Sequence, residues 1–279
     1  MITSLGDPRL DLARIVVGAV TIRPEPHLPA HLLHLVDAHG TGYYAKQHHQ
    51  PGRFAQEVHA YTRWTHHLAA TTPTLLAHHE GSRTLLLTEA PGIAVTALPP
   101  GHPDELRIHH TAGAALRALH AATLTPAAPE LGQRLAQRLT GWAERAHHAG
   151  LTSPAGQAFL LATAADLAGT ELDGAVCHLD YQPRNWNWSP QAGLALVDFE
   201  HMRPDARLRD LARLHHRLWP TAPNLRDAFH QGYGPPTTAE TAVLHTFGAY
   251  EAATALVRGH ETGNTELHHY GETLLDQLM

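Results

Sequence analysis

Two short segments, residues 178–185 and 197–200, contain the side chains best suited to chemistry. The first holds Asp180 and Asn185, and the second holds Asp198 directly after an apolar run. A carboxylate, an amide and a second carboxylate in this order are typical of phosphoryl transfer, in which one carboxylate meets the attacking hydroxyl and the other two groups hold Mg²⁺ on the nucleotide phosphates. Their oxygen atoms are the hard ligands that octahedral Mg²⁺ prefers. The pattern therefore predicts a magnesium-dependent phosphotransferase site.

A β-hairpin is predicted between the two metal-binding candidates. Residues 186–188 alternate Trp, Asn and Trp, residues 190–193 favour a turn, and residues 194–197 form an apolar strand. Because the two ends of a hairpin lie side by side, we expect Asn185 and Asp198 to meet at its open end. That geometry suits one metal ion.

The pattern His-x-Asp-x-x-x-x-Asn at 178–185, followed by Asp-Phe-Glu at 198–200, resembles the aminoglycoside phosphotransferase and choline kinase superfamily, distant relatives of protein kinases. Glu200 follows the choline kinase form, whereas protein kinases usually carry glycine there. The resemblance implies an α+β, two-lobed, protein-kinase-like fold. A small β-rich nucleotide-binding lobe would span residues 1–90, and a larger, mostly helical lobe for catalysis and acceptor binding would span residues 91–279. It also implies Asp180 as the catalytic residue, with ATP, or GTP, and Mg²⁺ as cofactors.

Lys46 is the only lysine in a chain with 20 lysine and arginine residues. It lies at the end of a predicted hairpin whose strands, 31–36 and 43–46, flank a glycine-containing turn. From Phe54 onward the apolar residues recur at the spacing of an α-helix, which predicts a helix there. Glu57 lies beside the inward face of this helix. A strand lysine paired with a helix glutamate positions nucleotide phosphates in kinase-like enzymes. We therefore predict Lys46 and Glu57 as nucleotide-binding residues, the alternative being two solvated surface charges.

The rest of the first ninety residues predicts strands. Ile15–Val17 and Val20–Ile22 are β-branched runs, and Thr84–Glu89 is typical of a buried strand. In the family that the sequence resembles, this last strand leads to a hinge whose backbone binds the nucleotide base, which implies Glu89 and Ala90 as cofactor-binding residues.

The remainder of the chain is predicted to be helical. Residues 106–122, 131–149 and 153–167 have helical patterns, and a leucine-rich helix follows Asp205. Asp210 in that helix resembles the family's structural aspartate, which ties down the backbone of the catalytic loop; an exposed aspartate is the alternative. Two or three further helices are expected at the carboxyl end.

The composition excludes several classes of protein. The sequence has no run of eighteen apolar residues and no leader-like start, which predicts a cytoplasmic protein without a membrane span. Cys177 is the single cysteine, so no intrachain disulfide can form, and it is expected in a buried strand rather than as a catalytic thiol. Adjacent histidines such as His215 and His216 are predicted to be surface residues and poor chelates.

The negative charge is concentrated at the carboxyl end. Residues 220–279 hold seven acidic side chains against two arginines, or −5 of the net −6. This argues against nucleic acid as a partner and predicts a small cationic acceptor, an aminoglycoside or a basic cyclic peptide. Glu240, Glu251 and Glu261 are the candidate amine-binding residues. A choline-, sugar- or homoserine-type kinase, and a kinase-like protein that binds nucleotide without turnover, remain alternatives. The oligomeric state is not predicted.

Overall fold

The computed structural model of the protein describes residues 6–26 and 28–279, which form two compact units. The first unit contains the chain up to Asp104 together with Gln182–Arg203, and the second contains Glu105–Tyr181 and Pro204–Met279. Strands dominate the first unit and helices the second, so the predicted α+β fold class is confirmed. The functional division after residue 90 stays a prediction.

The described chain contains helices α1 to α9 and strands β1 to β11. The helices are α1 Pro8–Val17, α2 Pro51–Arg63, α3 Glu105–Thr123, α4 Pro129–His148, α5 Pro154–Ala168, α6 Arg209–Arg213, α7 Pro223–Tyr233, α8 Thr238–Thr262 and α9 Thr265–Leu278. The strands are β1 Val20–Ile22, β2 Leu32–Asp37, β3 Gly42–Gln47, β4 Leu75–His79, β5 Thr84–Thr88, β6 Ile93–Ala94, β7 Thr125–Ala128, β8 Leu172–Cys177, β9 Trp186–Ser189, β10 Gly193–Leu196 and β11 Arg203–Ala206.

The first unit is built on a five-stranded antiparallel sheet with the order β1-β2-β3-β5-β4. Because side chains alternate along a strand, Tyr44 and Lys46 of β3 share one face, while Tyr43 and Ala45 share the other. The second of these faces packs on α1, where Ala13 joins the buried cluster. Lys46 is therefore held on the face that α1 does not cover.

Helix α1 corrects the expectation that Ile15–Val17 forms a strand. The Asp7 side chain accepts a hydrogen bond from the backbone of Arg9, and Pro8 occupies the first helical turn. An N-cap and an N-terminal proline start a helix strongly enough to override the weak strand preference of three β-branched residues. The predicted strand at Val20–Ile22 is present as β1.

A three-stranded sheet of order β10-β9-β6 completes the first unit. Strands β9 and β10 are antiparallel, with Trp186 opposite Leu196 and Ser189 opposite Gly193, as the predicted hairpin requires. A 3₁₀ turn at Pro183–Asn185 precedes β9. The predicted hairpin is therefore present between Asn185 and Asp198.

The second unit is mainly helical and includes the three-stranded sheet β11-β8-β7. Helices α3 and α7 approach closely because both carry glycine at the crossing: a Cβ on Gly113 would lie 2.2 Å from the carbonyl oxygen of Phe229, and one on Gly232 would lie 2.0 Å from that of His110. Helix α5 begins after the N-cap Ser153, whose side chain accepts a hydrogen bond from the Gly156 NH. A π-helical turn, Leu214–Leu218, continues the short helix α6.

Candidate active site

Lys46 is the centre of a charged cluster in the first unit. Its Nζ lies 2.9 Å from Glu57 Oε2 on α2, 2.8 Å from Asp198 Oδ1 and 3.2 Å from Glu200 Oε2. Lys46 and Glu57 are almost fully buried, whereas the Asp198 side chain is 36% exposed. The fold thus brings together three of the residues predicted to bind nucleotide or metal, although 152 positions separate Lys46 from Asp198.

His48 and Arg53 belong to the same cluster, and sequence reasoning missed both. His48 Nε2 donates to Glu57 Oε2 at 2.6 Å, and Arg53 Nη1 donates to Glu200 Oε1 at 2.7 Å. A signal for His48 was present, because it stands two positions after Lys46 and therefore points to the same side of the extended chain. Glu200 is held by both Lys46 and Arg53.

The electrostatics of this cluster follow from its pairing. Burial alone would lower the pKa of Lys46, but the surrounding carboxylates outweigh it and raise that pKa above its ordinary value. Burial would raise the pKa of Glu200, but Lys46 and Arg53 hold it below its usual range. The carboxylates of Glu57, Asp198 and Glu200 therefore surround Lys46, and Arg53 pairs with Glu200 as well.

The hairpin places the two predicted metal ligands beside each other. The Val197 backbone NH donates to the Asn185 carbonyl at 3.1 Å, directly beyond the last strand pair. Asn185 is buried, and Asp198 follows in the left-handed region with φ +66°. Aspartate tolerates that conformation better than most residues. The donor set of one amide and one partly exposed carboxylate fits Mg²⁺.

Glu89 and Ala90, the predicted base-binding residues, follow β5 in the first unit. The Glu89 NH donates to the Gly42 carbonyl at 3.0 Å, and the Glu89 carboxylate lies 3.3 Å from His34 Nε2. A Cβ at Gly42 would collide with this carboxylate at 1.6 Å, so the glycine permits the close approach. Ala90 is buried. Their role in base binding stays a prediction.

Asp180, the predicted catalytic residue, belongs to the second unit and follows strand β8. Its side chain is only 2% exposed, and its Oδ1 accepts a hydrogen bond from Arg213 Nη1 of α6. Arg213 in turn places its Nε 3.4 Å from Glu251 Oε2 of α8. The carboxylate is therefore held in an ion pair within its own unit.

Asp210 organises the backbone around Asp180. Its Oδ2 accepts the His178 NH at 2.8 Å, and its Oδ1 accepts the Leu179 NH at 2.5 Å. His120 Nε2 also donates to Oδ2 at 3.0 Å. Leu179 is held at φ +62°, a conformation that a leucine adopts only when its surroundings impose it. Asp210 is thus buried and structural, as the resemblance implies, rather than an exposed charge.

The comparison with protein families agrees with this geometry. Residues 31–244 match the phosphotransferase enzyme family, APH, which is more than half of the chain. The chain belongs to this family. No curated protein shows a significant sequence match to this phosphotransferase.

Solved structures of antibiotic phosphotransferases share its fold. The apoenzyme of macrolide 2'-phosphotransferase MphH from Brachybacterium faecium has a TM-score of 0.65 and 17% identity, over 96% of this chain and 97% of the other. A thermostable mutant of aminoglycoside phosphotransferase APH(4)-Ia, in a ternary complex with ADP and hygromycin B, has a TM-score of 0.67 and 15% identity over 97% of each chain. The GDP complex of wild-type aminoglycoside 2'-phosphotransferase-IIIa has a TM-score of 0.68 and 11% identity over 96% of each.

Two other features bear on the chemistry of this phosphotransferase. Cys177 is buried, burial raises the pKa of its thiol, and its Sγ lies 3.4 Å from the carbonyl oxygen of Ala206, so it is a packing residue rather than a nucleophile. Within the described part of the chain, no helix is long and apolar enough to cross a membrane.

The carboxylates predicted to bind acceptor amines are already paired with arginines. Glu251 is buried against Arg213, Glu240 pairs with Arg207, and Glu261 pairs with Arg145. The last two pairs are partly exposed, with side chains between 20% and 47% accessible. All three partner arginines precede residue 220, so their charge was not counted in the carboxyl-terminal segment. Its local charge is therefore much smaller than the sequence alone suggested.

The histidines also differ from expectation. Several are buried rather than superficial, namely His34, His48, His109, His120 and His178. His120 shows the reason: its Nε2 donates to Asp210, and its Nδ1 lies 2.9 Å from the Tyr233 hydroxyl. A neutral imidazole can donate at one nitrogen and accept at the other, which lets it bridge two buried polar groups.

Proposed function

We propose that this phosphotransferase transfers the γ-phosphoryl group of ATP or GTP to a hydroxyl of a small-molecule antibiotic. The observation that carries the proposal is the contact of Lys46 Nζ with Glu57 and Asp198, at 2.9 and 2.8 Å. This contact joins Lys46, a buried cation that would bind phosphate oxygens, to Asp198, a partly exposed carboxylate that would bind a metal. The ADP and GDP complexes among the similar structures support a nucleotide as the donor.

Asp198 and Asn185 would hold Mg²⁺. Asp198 would offer a charged carboxylate oxygen and Asn185 a neutral amide oxygen, and both are the hard ligands that Mg²⁺ prefers. The metal would supply neutralisation of charge on the phosphate oxygens. Lys46 would bind the same phosphates from the strand side, oriented by Glu57, whose position His48 fixes.

Asp180 would orient the acceptor hydroxyl and take its proton. Because phosphoryl transfer passes through a loose transition state, the position of this carboxylate counts for more than its basicity. Asp210 supports that position by holding the two backbone amides that precede Asp180.

The acceptor would be a cationic, hydroxyl-bearing antibiotic, with phosphorylation conferring resistance. Hygromycin B in one similar structure and the macrolide 2'-phosphotransferase activity named for another support this class. The arginine pairing of Glu240, Glu251 and Glu261 favours an acceptor with few amino groups over a polycation. Rising salt should then raise KM only mildly, whereas a polycation would show a steep rise.

The test is a transfer assay with labelled ATP and GTP, Mg²⁺, and a panel of macrolides, aminoglycosides, basic cyclic peptides, choline and neutral sugars. We expect nucleotide-dependent phosphorylation of at least one antibiotic, with Asp180→Asn as the inactive, folded control. Efficient turnover of choline or a sugar, with no antibiotic accepted, would identify a metabolite kinase. Nucleotide binding without any transfer would identify a non-catalytic relative.

A further inference from the structure

Arg213 joins two carboxylates in the second unit that the sequence assigned to different tasks. Its Nη1 donates to Asp180 Oδ1, and its Nε lies 3.4 Å from Glu251 Oε2. The Asp180 and Glu251 side chains are 2% and 8% exposed, whereas that of Arg213 is 31% exposed. The guanidinium thus compensates two buried charges, although the Arg213 side chain as a whole is partly exposed.

We propose that Arg213 is a positioning residue for phosphoryl transfer: its guanidinium fixes the carboxylate of Asp180, and Glu251 fixes the guanidinium. The inference rests on the proposed function, because it assigns to Asp180 the orientation of the acceptor hydroxyl. Arg213 acts through Asp180.

The chemistry of the guanidinium suits this task. Its nitrogens form a rigid planar fork, so one edge can bind Asp180 while Nε faces Glu251. A lysine ammonium carries the same charge but is a single compact donor group on a flexible stem. Arg213→Lys should therefore keep the charge balance and lose part of the orientation.

The surrounding elements make the geometry rigid. Arg213 is the last residue of α6, whose Asp210 already holds the backbone next to Asp180, and Glu251 lies in the buried middle of α8. One short helix therefore fixes the same aspartate twice, by its backbone through Asp210 and by its side chain through Arg213. A misplacement of about 1 Å at such a group can lower the rate roughly 10²-fold.

The first test needs no activity and is a double-mutant cycle of thermal unfolding with Arg213→Gln, Asp180→Asn and the double variant. Arg213→Gln should lower Tm, because it removes the guanidinium from a buried carboxylate. Adding Asp180→Asn should recover part of that loss, because one of the two buried charges is then gone while Glu251 keeps the other. Strictly additive shifts would overturn the proposed pairing, whether or not the protein proves to be a phosphotransferase.

The second test is kinetic. Arg213→Gln should lower kcat about 10²-fold while KM for the nucleotide stays within about threefold, since the effect is on the reacting hydroxyl. Arg217→Gln is the matched control, because Arg217 is exposed in the next helical turn, with its guanidinium 4.2 Å from the ring centre of Tyr270. It should leave kcat unchanged.

Chemical rescue separates positioning from general support of the fold. Millimolar guanidinium should restore part of the activity of Arg213→Ala, but should not restore Asp180→Asn. If Arg213→Gln does not fold, Glu251→Gln replaces it and should lower kcat less, because Arg213 stays in place. An unchanged kcat in Arg213→Gln, or no rescue of Arg213→Ala, would contradict the proposal. No transfer by the wild-type protein would instead refute the proposed function, and the unfolding cycle would still decide the pairing.

Discussion

The two units contain charged clusters of opposite arrangement. In the first, a buried cation, Lys46, is surrounded by carboxylates, and one of them, Asp198, is 36% exposed. In the second, a buried anion, Asp210, is surrounded by donors, and its side chain is fully covered. The first cluster contains a carboxylate that reaches solvent, Asp198, whereas the donors around Asp210 satisfy its charge from within the protein.

This difference in exposure suits the first cluster to ligand binding and the second to holding the protein's own structure. A partly exposed charge costs little to retain and is accessible to a ligand, while a buried charge persists only with internal partners. The first cluster is therefore expected to govern nucleotide and metal affinity. The second is expected to govern turnover and stability.

The largest effect expected from this comparison is on turnover in Asp180→Asn. Because the substitution removes the group that orients the hydroxyl but leaves the first unit untouched, kcat should fall by about 10²–10⁴. Nucleotide affinity should stay within about twofold, since ground-state binding is not changed. Steady-state kinetics together with nucleotide titration measures both quantities. A kcat within threefold of wild type would refute the catalytic assignment.

The next effect is on stability, in Asp210→Ala. The substitution leaves the backbone amides of His178 and Leu179 and the buried His120 without their shared acceptor, so the free energy of unfolding should fall by about 3–5 kcal/mol. Asp227→Ala is the control, because that side chain is 61% exposed. Chemical denaturation gives the comparison. Equal losses in the two variants would mean that Asp210 does not support the loop.

A smaller effect is expected at His48, within the first unit. His48→Leu removes the 2.6 Å hydrogen bond to the buried Glu57, which should cost roughly 1.5–3 kcal/mol of stability, the usual range for a bond to a charged group. It should also weaken nucleotide binding, since Glu57 orients Lys46. His49→Leu, at the exposed neighbouring position, should change neither quantity in denaturation and titration experiments. Identical behaviour of the two variants would remove His48 from the cluster.

The smallest effect is expected at the strained backbone of Leu179. Glycine adopts φ +62° without steric cost, so Leu179→Gly should relieve about 1–2 kcal/mol of strain. The greater flexibility of glycine in the unfolded chain should cancel about 0.5–1 kcal/mol of this gain. Unfolding measurements should therefore show stability that is unchanged or slightly higher. A loss above 2 kcal/mol would show that leucine packing, rather than Asp210, holds the loop.

Local signals predicted the parts of the site that lie close in sequence. The hairpin between Asn185 and Asp198 followed from alternation and turn residues, and helical spacing placed Glu57 on the inward face of its helix. Its pairing with Lys46 followed from the resemblance to kinase-like enzymes. Helix α1 was missed because its β-branched residues favour a strand, whereas the N-cap and proline at its start stabilise a helix more strongly.

Long-range pairing could not be predicted in the same way. The contacts of Arg213 with Glu251 and of Arg207 with Glu240 depend on how α6 and α8 pack, which no local pattern encodes. Counting charges within residues 220–279 alone therefore overstated the negative charge available there to bind a cationic acceptor. The buried His120 was missed for the same reason, because its partners Asp210 and Tyr233 are about one hundred residues away.

The most direct test of the central claim is calorimetric titration of Mg–ATP and Mg–GTP into the wild-type protein and Asp198→Asn. Asparagine keeps the shape and tolerates φ +66°, so the variant removes charge without straining the backbone. We predict saturable, magnesium-dependent binding to the wild type and loss of the magnesium dependence in Asp198→Asn. Asn185→Ala should weaken binding less, because an amide gives the metal only a dipole. Equal affinities for all three proteins, with and without Mg²⁺, would contradict the account.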